Sequence, residues 1–298
     1  MPVQPAHVVF IHGLANKPKK EDLERIWLEA LLQPVEGDAG FDLEASGVRC
    51  TCVYWADLFY DAPLPAGDYE AAVGTPGELQ ASVQQDIAVG EDAWTRAMKS
   101  RFPDEADYPI PPLDEKAVGY ERIPIPWVVK ERVMKHFVRE AHDYLFDVNG
   151  VRDTIRNRVL SQLHEIPQGT RRVLVGHSQG SFIAYDVLTG VNSCTEVDGL
   201  LTLGSPLGVD EIQDKLVWSR DDGFPRKLGG EWINVYDPFD VVARFDPRLA
   251  NDFRKGGKEV VVDIKEENWG TWRHSATKYL KGPKLRKALR RLCQREGA

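Results

Sequence analysis

Residues 171–180 read RRVLVGHSQG, the most informative ten residues of this sequence. A short apolar run, typical of a buried strand, leads directly into Gly-x-Ser-x-Gly, and a helix-compatible segment follows as far as Gly190. A serine at such a sharp strand-to-helix turn needs small residues two positions before and after it, because the backbone packs tightly there. Gly176 and Gly180 occupy those positions. The pattern therefore predicts that Ser178 is a nucleophile at the end of a strand.

Five further apolar runs are of the same kind, and helical stretches separate them. Strands that alternate with helices predict a mostly parallel sheet covered by helices on both faces, which is the α/β class of fold. We therefore expect about six strands, at residues 8–11, 48–54, 173–175, 200–203, 233–236 and 260–264.

The connection between the second and third predicted strands holds more than a hundred residues, far more than a crossover needs. We expect a core at 1–60 and 150–298 and an inserted cap at 61–149. The first part of the insertion, 61–126, contains nine prolines and carries 13 acidic and 5 basic residues, which is typical of a surface layer that controls access. Apolar residues at helical spacing then predict a helix from Val133 to Val148, and a second helix at 153–164 leads back to the sheet.

A serine hydroxyl becomes a good nucleophile only when a base removes its proton, and that base is usually a histidine held by a carboxylate. Around a serine turn of this kind, the three residues follow the chain order serine, acid, histidine. Apart from its neighbour His177, Ser178 is followed by a single histidine, His274. The chain order predicts that His274 is the base.

Two aspartates compete for the role of the acid, which we expect after the penultimate strand. Asp237 precedes a proline at the strand end and could simply form the turn. Asp240 opens the next segment, where a loop can bring it to the histidine. We favour Asp240 and keep Asp237 as the alternative acid; the other aspartate is expected to cap or form the turn.

The first predicted strand ends in His12-Gly13-Leu14. A glycine just past a strand end allows the following backbone amides to turn toward the nucleophile, as an oxyanion hole requires. The amides of Leu14 and Gln179 are therefore the candidate oxyanion donors.

Taken together, these motifs resemble the α/β-hydrolases of the lipase and esterase kind. The resemblance rests on His12-Gly13, the Gly-His-Ser-Gln-Gly turn, Leu-Gly-Ser-Pro at 203–206, the Asp-Val-Val loop from Asp240 and the late His274. It implies a serine hydrolase that forms an acyl-enzyme at Ser178. The sequence departs from the family in two respects: two strands that usually begin the family's sheet are missing, and the large insertion precedes the serine turn.

The composition excludes several classes of protein. The 298 residues are 42% hydrophobic and 28% charged, unlike disordered or collagen-like chains, and the net charge of -8 argues against a nucleic-acid partner. No apolar run is long enough for a membrane helix and no signal region begins the chain, so we expect a cytoplasmic location. The four cysteines are too sparse for a disulfide framework and no cluster has metal-ligand spacing. We expect buried, reduced thiols, no metal and no cofactor.

Two features have a structural and a functional interpretation. Residues 281–295 hold seven basic residues and an apolar stripe, which predicts a helix that closes one face of the sheet; peripheral membrane contact is the alternative. Trp94, Trp127 and the aromatic run 55–60 are expected to pack between cap and core, with an acyl pocket as the alternative.

The leading hypothesis is a serine esterase or lipase that acts on a small-molecule, lipid or thioester substrate. A peptidase or acyltransferase with the same three residues is the first alternative. The second is a catalytically silent interaction module whose acidic cap binds a basic partner.

Overall fold

The centre of the fold is a six-stranded sheet in which all neighbouring strands are parallel. A computed structural model describes residues 5–71, 139–216, 223–240, 242–243, 246–269 and 273–294. The strands of this sheet are β1 Ala6–Ile11, β2 Val48–Val53, β3 Arg171–His177, β4 Val197–Leu203, β5 Leu228–Tyr236 and β8 Val261–Lys265. A separate antiparallel pair is formed by β6 Arg254–Lys255 and β7 Lys258–Glu259. The strands of the main sheet lie in the order β2-β1-β3-β4-β5-β8, and each of the six predicted runs overlaps one of them, so the predicted α/β class is confirmed.

Helices cover both faces of this sheet. They are α1 Lys20–Leu32, α2 Ala66–Ala71, α3 Arg139–Leu145, α4 Val151–His164, α5 Gln179–Gly190, α6 Asp210–Gln213, α7 Ala276–Lys281 and α8 Pro283–Gln294; Ala56–Leu58 and Val148–Gly150 form short 3-10 turns. One face packs against α3, α4 and α5 and the other against α1, α7 and α8, so the strands are apolar on both sides. In β1, for example, Val8 and Phe10 face one layer while Val9 and Ile11 face the other.

The described part of the predicted insertion packs closely on the core. Ala141, Tyr144 and Leu145 of α3 are buried in the same apolar cluster as α4 and α5. Helix α3 ends at Leu145, before the predicted end at Val148, and the backbone is left-handed at Asp147, where φ is +51°, and again at Asn149, where φ is +54°. Residues 72–138, with Trp94, Trp127 and the start of the predicted helix, lie outside the described residues, so the cap and its boundaries stay predictions.

The C-terminal helix predicted at 281–295 is α8, and a short helix that was not predicted, α7, precedes it. Helix α7 ends at Lys281 and α8 begins at Pro283, because Gly282 breaks the helix and proline is favoured at the first helical position. The apolar stripe of α8 is buried against the sheet, as predicted. The pattern gave no sign that Arg286 is fully buried, where it donates to the carbonyls of Ala30, Gln33 and Leu280.

Within the described ranges, no helix is long and apolar enough to cross a membrane. All four cysteines are free thiols; Cys52, Cys194 and Cys293 are buried and Cys50 is partly so. Cys50 and Cys52 alternate along β2, as the sequence predicts.

Candidate active site

Ser178 lies in a strained turn between β3 and α5. Its φ of +53° and ψ of -123° are unusual for a residue with a side chain and cost about 1–3 kcal/mol. The turn is tightly packed: a Cβ at Gly176 would lie 2.6 Å from the carbonyl oxygen of Gly180, and a Cβ at Gly180 would overlap the carbonyl of Ile11. The close packing expected around Ser178 therefore requires glycine at both positions.

The side chains of Ser178, His274 and Asp240 form a continuous hydrogen-bonded row, although the chain separates them widely. Nε2 of His274 lies 2.8 Å from Oγ of Ser178, and Nδ1 lies 2.8 Å from Oδ2 of Asp240. An ionised carboxylate can only accept hydrogen bonds, so the ring proton is on Nδ1 and Nε2 is left to accept from the serine hydroxyl. All three residues are buried.

Asp240 is held in its ionised form by its neighbours. Burial alone would raise the pKa of its carboxyl, but the attraction of His274 and the hydrogen bonds from His274, Tyr279 and the Val242 amide hold the pKa below its usual value. Oδ1 accepts from the amide of Val242 at 2.8 Å, so both oxygens have partners.

Asp237, the alternative acid, contacts the segment that carries His274 instead of the imidazole itself. Its Oδ1 accepts from the amide of Phe239 at 2.7 Å, which closes the turn, and its Oδ2 accepts from the amide of Asn268 at 2.6 Å. Arg273, directly before His274, lies 3.5 Å from the same carboxylate. Asp237 thus anchors both the 237–240 turn and the approach to His274.

The Leu-Gly-Ser-Pro stretch at 203–206 places a glycine, Gly204, directly beside the side chains of Asp240 and His274. Gly204 has a φ of +54°, and a Cβ there would lie 2.8 Å from Oδ2 of Asp240 and 3.1 Å from Nδ1 of His274. A side chain at this position would therefore push the aspartate and the histidine apart. Ser205 accepts from the amide of Leu207 at 3.1 Å and holds the turn that follows.

The loop after β1 passes directly beside the serine. A Cβ at Gly13 would lie 2.6 Å from Cβ of Ser178. The amide of Leu14 follows in this loop, and the amide of Gln179 opens α5, where helix N–H groups have no helical acceptor. Among the hydrogen bonds of the described residues, neither amide is a donor, so both can bind an anionic oxygen.

A buried histidine determines how this loop is oriented. The amide of Trp55 donates to Nε2 of His12 at 3.0 Å, so the ring proton is on Nδ1, which donates to the carbonyl of Gly13 at 2.8 Å. The rings of His12 and Trp55 stack at 4.5 Å. Burial, with a contribution from Lys17, lowers the pKa of His12 well below its usual value, so the ring stays neutral.

Charged residues that the sequence did not single out hold the rest of the loop. The buried ammonium of Lys17 donates to the carbonyls of Leu14 and Ala15, and burial lowers the pKa of Lys17 to about 8. Glu140 of α3 accepts from the amide of Ala15 at 3.3 Å, and its carbonyl accepts from the side chain of Gln179 at 3.3 Å. The Glu140 contacts join residues far apart in the chain, so no local motif could have revealed them.

The side chain of His177 contacts the backbone of His274. Its Nε2 donates to the carbonyl of His274 at 3.1 Å, and the two rings lie 4.8 Å apart. Burial lowers the pKa of His177 well below its usual value, which keeps this ring neutral. Among the residues that the structure describes, no three His, Cys, Asp or Glu side chains are grouped as a metal site.

Comparisons with known proteins give distant likenesses. No protein-family model and no curated protein matches the chain. A dienelactone hydrolase from Anabaena variabilis is 11% identical, with 98% of this chain and 84% of that chain covered and a TM-score of 0.39. The esterase domain of a Rhodothermus marinus protein is 10% identical, with 99% of this chain and 89% of that chain covered and a TM-score of 0.37. A pyrethroid hydrolase from Sphingobium faniae is 12% identical, with 97% of this chain and 98% of that chain covered and a TM-score of 0.39. These values are too low to support an argument about function.

Proposed function

We propose that this protein is a serine hydrolase of the α/β-hydrolase type that cleaves a carboxylic ester through an acyl-enzyme on Ser178. One observation carries the proposal: Ser178, in a strained turn, is 2.8 Å from a histidine whose other nitrogen is 2.8 Å from a buried aspartate. A nucleophile, a base and a group that orients the base are then in contact in the order that acyl transfer needs.

In the proposed reaction, Nε2 of His274 takes the proton of Ser178 as Oγ attacks the ester carbonyl carbon. The carbonyl π bond becomes a lone pair on the oxyanion, and the carbon–oxygen bond to the alcohol breaks as this lone pair returns. His274 gives its proton to the leaving alcohol. Water, deprotonated by His274, then attacks the acyl carbon, and His274 returns this proton to Oγ as the bond between Oγ and the acyl carbon breaks, which releases the acid and free Ser178. Asp240 keeps the ring in its tautomer and stabilises the imidazolium.

The amides of Leu14 and Gln179 are the proposed donors to the oxyanion. The Leu14 N–H belongs to the same planar peptide as the Gly13 carbonyl, which accepts from His12. Since the N–H of a trans peptide points opposite to its carbonyl, His12 orients the Leu14 amide by holding the Gly13 oxygen. His12 is therefore a positioning residue in this proposal.

We assign the insertion 61–149 to a cap beside the site. Its described helix α3 supports this, because Glu140 contacts both Ala15 in the loop after β1 and Gln179 next to the nucleophile. A change in the position of α3 would be transmitted to both candidate oxyanion donors.

The direct test is hydrolysis of p-nitrophenyl esters from acetate to palmitate, with Ser178→Ala as control. We expect turnover with an optimum at one chain length and a loss of about 10³-fold or more in the variant. An amide substrate and an acceptor alcohol, added separately, test the peptidase and acyltransferase alternatives. Undiminished hydrolysis by Ser178→Ala would rule out the proposed nucleophile.

A further inference from the structure

Tyr279 lies directly behind the carboxylate of Asp240. It is fully buried in α7, among the apolar residues between the helices and the sheet. Its hydroxyl is 2.7 Å from Oδ2 of Asp240 and 3.0 Å from the backbone nitrogen of Asp237. The N–H of Asp237 can only donate, so the tyrosine hydroxyl accepts there and directs its single proton to Asp240.

Oδ2 of Asp240 consequently accepts two hydrogen bonds, one from Tyr279 and one from His274. The second donor has two physical effects. It restricts rotation of the carboxylate, so that Oδ2 stays directed at the imidazole. It also takes up part of the negative charge, so that the carboxylate attracts an imidazolium proton less strongly.

We propose that Tyr279 is a positioning residue for the reaction, which directs Asp240 at His274 and reduces the attraction of the carboxylate for an imidazolium proton. The kinetic part of this inference rests on the proposed function. Burial and the charge of Asp240 raise the pKa of Tyr279 well above its usual value, so the hydroxyl keeps its proton throughout the range of an assay.

The buried face of α1, which packs on α7, is apolar, and the buried Arg286 of α8 donates to the carbonyl of Leu280. Within the part of the chain that the structure describes, the titratable or charged groups around Tyr279 and Asp240 include Asp237 in the same loop as Asp240, Arg273 beside His274, Lys278 in α7, His177 at the end of β3, and Lys17, which acts on His177. The variants below leave all of them unchanged.

The test compares two buried tyrosines that each donate to a buried aspartate. Tyr144 donates to Oδ2 of Asp186 at 2.7 Å and has no hydrogen bond to Ser178, His274 or Asp240 among the described residues, so it is the matched control for Tyr279. In Tyr279→Phe we expect the acid limb of the kcat/KM profile to move to higher pH by about half to one unit. In Tyr144→Phe we expect the wild-type profile, with a comparable loss of thermal stability.

A second readout does not depend on turnover. The midpoint of the His274 ring titration, followed by NMR, should move upward in Tyr279→Phe by a similar amount. Wild-type protein that is inactive on every ester while this midpoint still moves would support the positioning role and contradict the proposed reaction. A midpoint and a pH profile that both match wild type would show that Tyr279 is only structural.

A stronger hydrogen-bond donor at position 279 tests the same inference if Tyr279→Phe does not fold. Incorporation of 3-fluorotyrosine at position 279 keeps every hydrogen bond but makes the hydroxyl a stronger donor. The acid limb and the NMR midpoint should then move to lower pH. No shift, or an upward shift, would overturn the inference.

Discussion

Replacement of Asp240 by asparagine tests the assignment of the acid, because the contacts of the carboxylate determine how the amide must sit. In the native site, Oδ1 accepts from the amides of Val242 and Ala243, and Oδ2 accepts from His274 and Tyr279. An asparagine has one acceptor oxygen, and the two backbone donors hold it at the Oδ1 position. Its NH₂ group then lies at the Oδ2 position and faces two hydrogen-bond donors, His274 and Tyr279.

The consequence is a change of tautomer at His274. In the native tautomer, Nδ1–H of His274 would face the NH₂ group of the asparagine, and neither group can accept. The ring avoids this by moving its proton from Nδ1 to Nε2, and a protonated Nε2 can no longer accept the hydrogen bond from Ser178. We expect turnover to fall about 10³- to 10⁴-fold, equivalent to about 4–5.5 kcal/mol of transition-state stabilisation, with KM little changed. Steady-state hydrolysis of the best p-nitrophenyl ester measures this loss.

Asp237→Asn is the matched control, because Asp237 is equally buried but bonds to backbone amides and to Arg273. It should lower the free energy of unfolding by about 1–3 kcal/mol and turnover by less than about tenfold. Both variants need a turnover and a thermal-unfolding measurement. The reverse pattern, an inactive Asp237→Asn and an active Asp240→Asn, would refute the reasoning and move the acid to Asp237.

Three further predictions concern the loop, the turn and the pH response. His12→Ala should lower kcat about 10²-fold with little change in KM, because it releases the peptide that carries the candidate oxyanion donor Leu14. His164 is exposed, so His164→Ala should leave kcat and KM unchanged. Equal kcat values for the two variants would contradict the role of His12. Gly180→Ala should lower the free energy of unfolding, measured by chemical denaturation, by about 3 kcal/mol or more, because its Cβ overlaps the Ile11 carbonyl. Gly67 in α2 is exposed and has open space around it, so Gly67→Ala should be neutral or stabilising. An unchanged free energy of unfolding in Gly180→Ala would show that the turn can expand. Burial and a neighbouring carboxylate raise the pKa of Asp246 to about 7, so its ionisation opposes folding and stability falls as pH rises from about 4 through 7. Asp246→Asn should therefore raise the melting temperature more at pH 8 than at pH 5, and an equal effect at both would contradict this linkage.

The sheet could be predicted from the sequence because its strands are buried on both faces. Val8 to Ile11 must all be apolar when helices cover both sides, and such a run is visible without any knowledge of its neighbours. The short helix α7, which precedes the predicted C-terminal helix, was not predicted from the sequence. The burial of Arg286 left no such signal, since its acceptors Ala30 and Gln33 are about 250 residues away in the chain.

The site was predictable where chain order limited the choice. Ser178 and His274 were chosen by motif and order, and the structure places their side chains in contact, while their catalytic roles stay predictions. Asp237 and Asp240 could not be separated with certainty, because a three-residue turn decides which carboxylate meets the imidazole. Tyr279 carries no local signal, since a buried tyrosine on a short helix is typical of any core.

Reaction with a fluorophosphonate, followed by intact mass and peptide mapping, tests the central claim most directly, since such a probe bonds to an activated serine without any assumption about the substrate. We predict one adduct per chain on Ser178, slow labelling in His274→Ala and none at this position in Ser178→Ala. Undiminished labelling of Ser178→Ala, or an adduct on any other residue of the wild-type protein, would contradict the claim that Ser178 is the activated nucleophile.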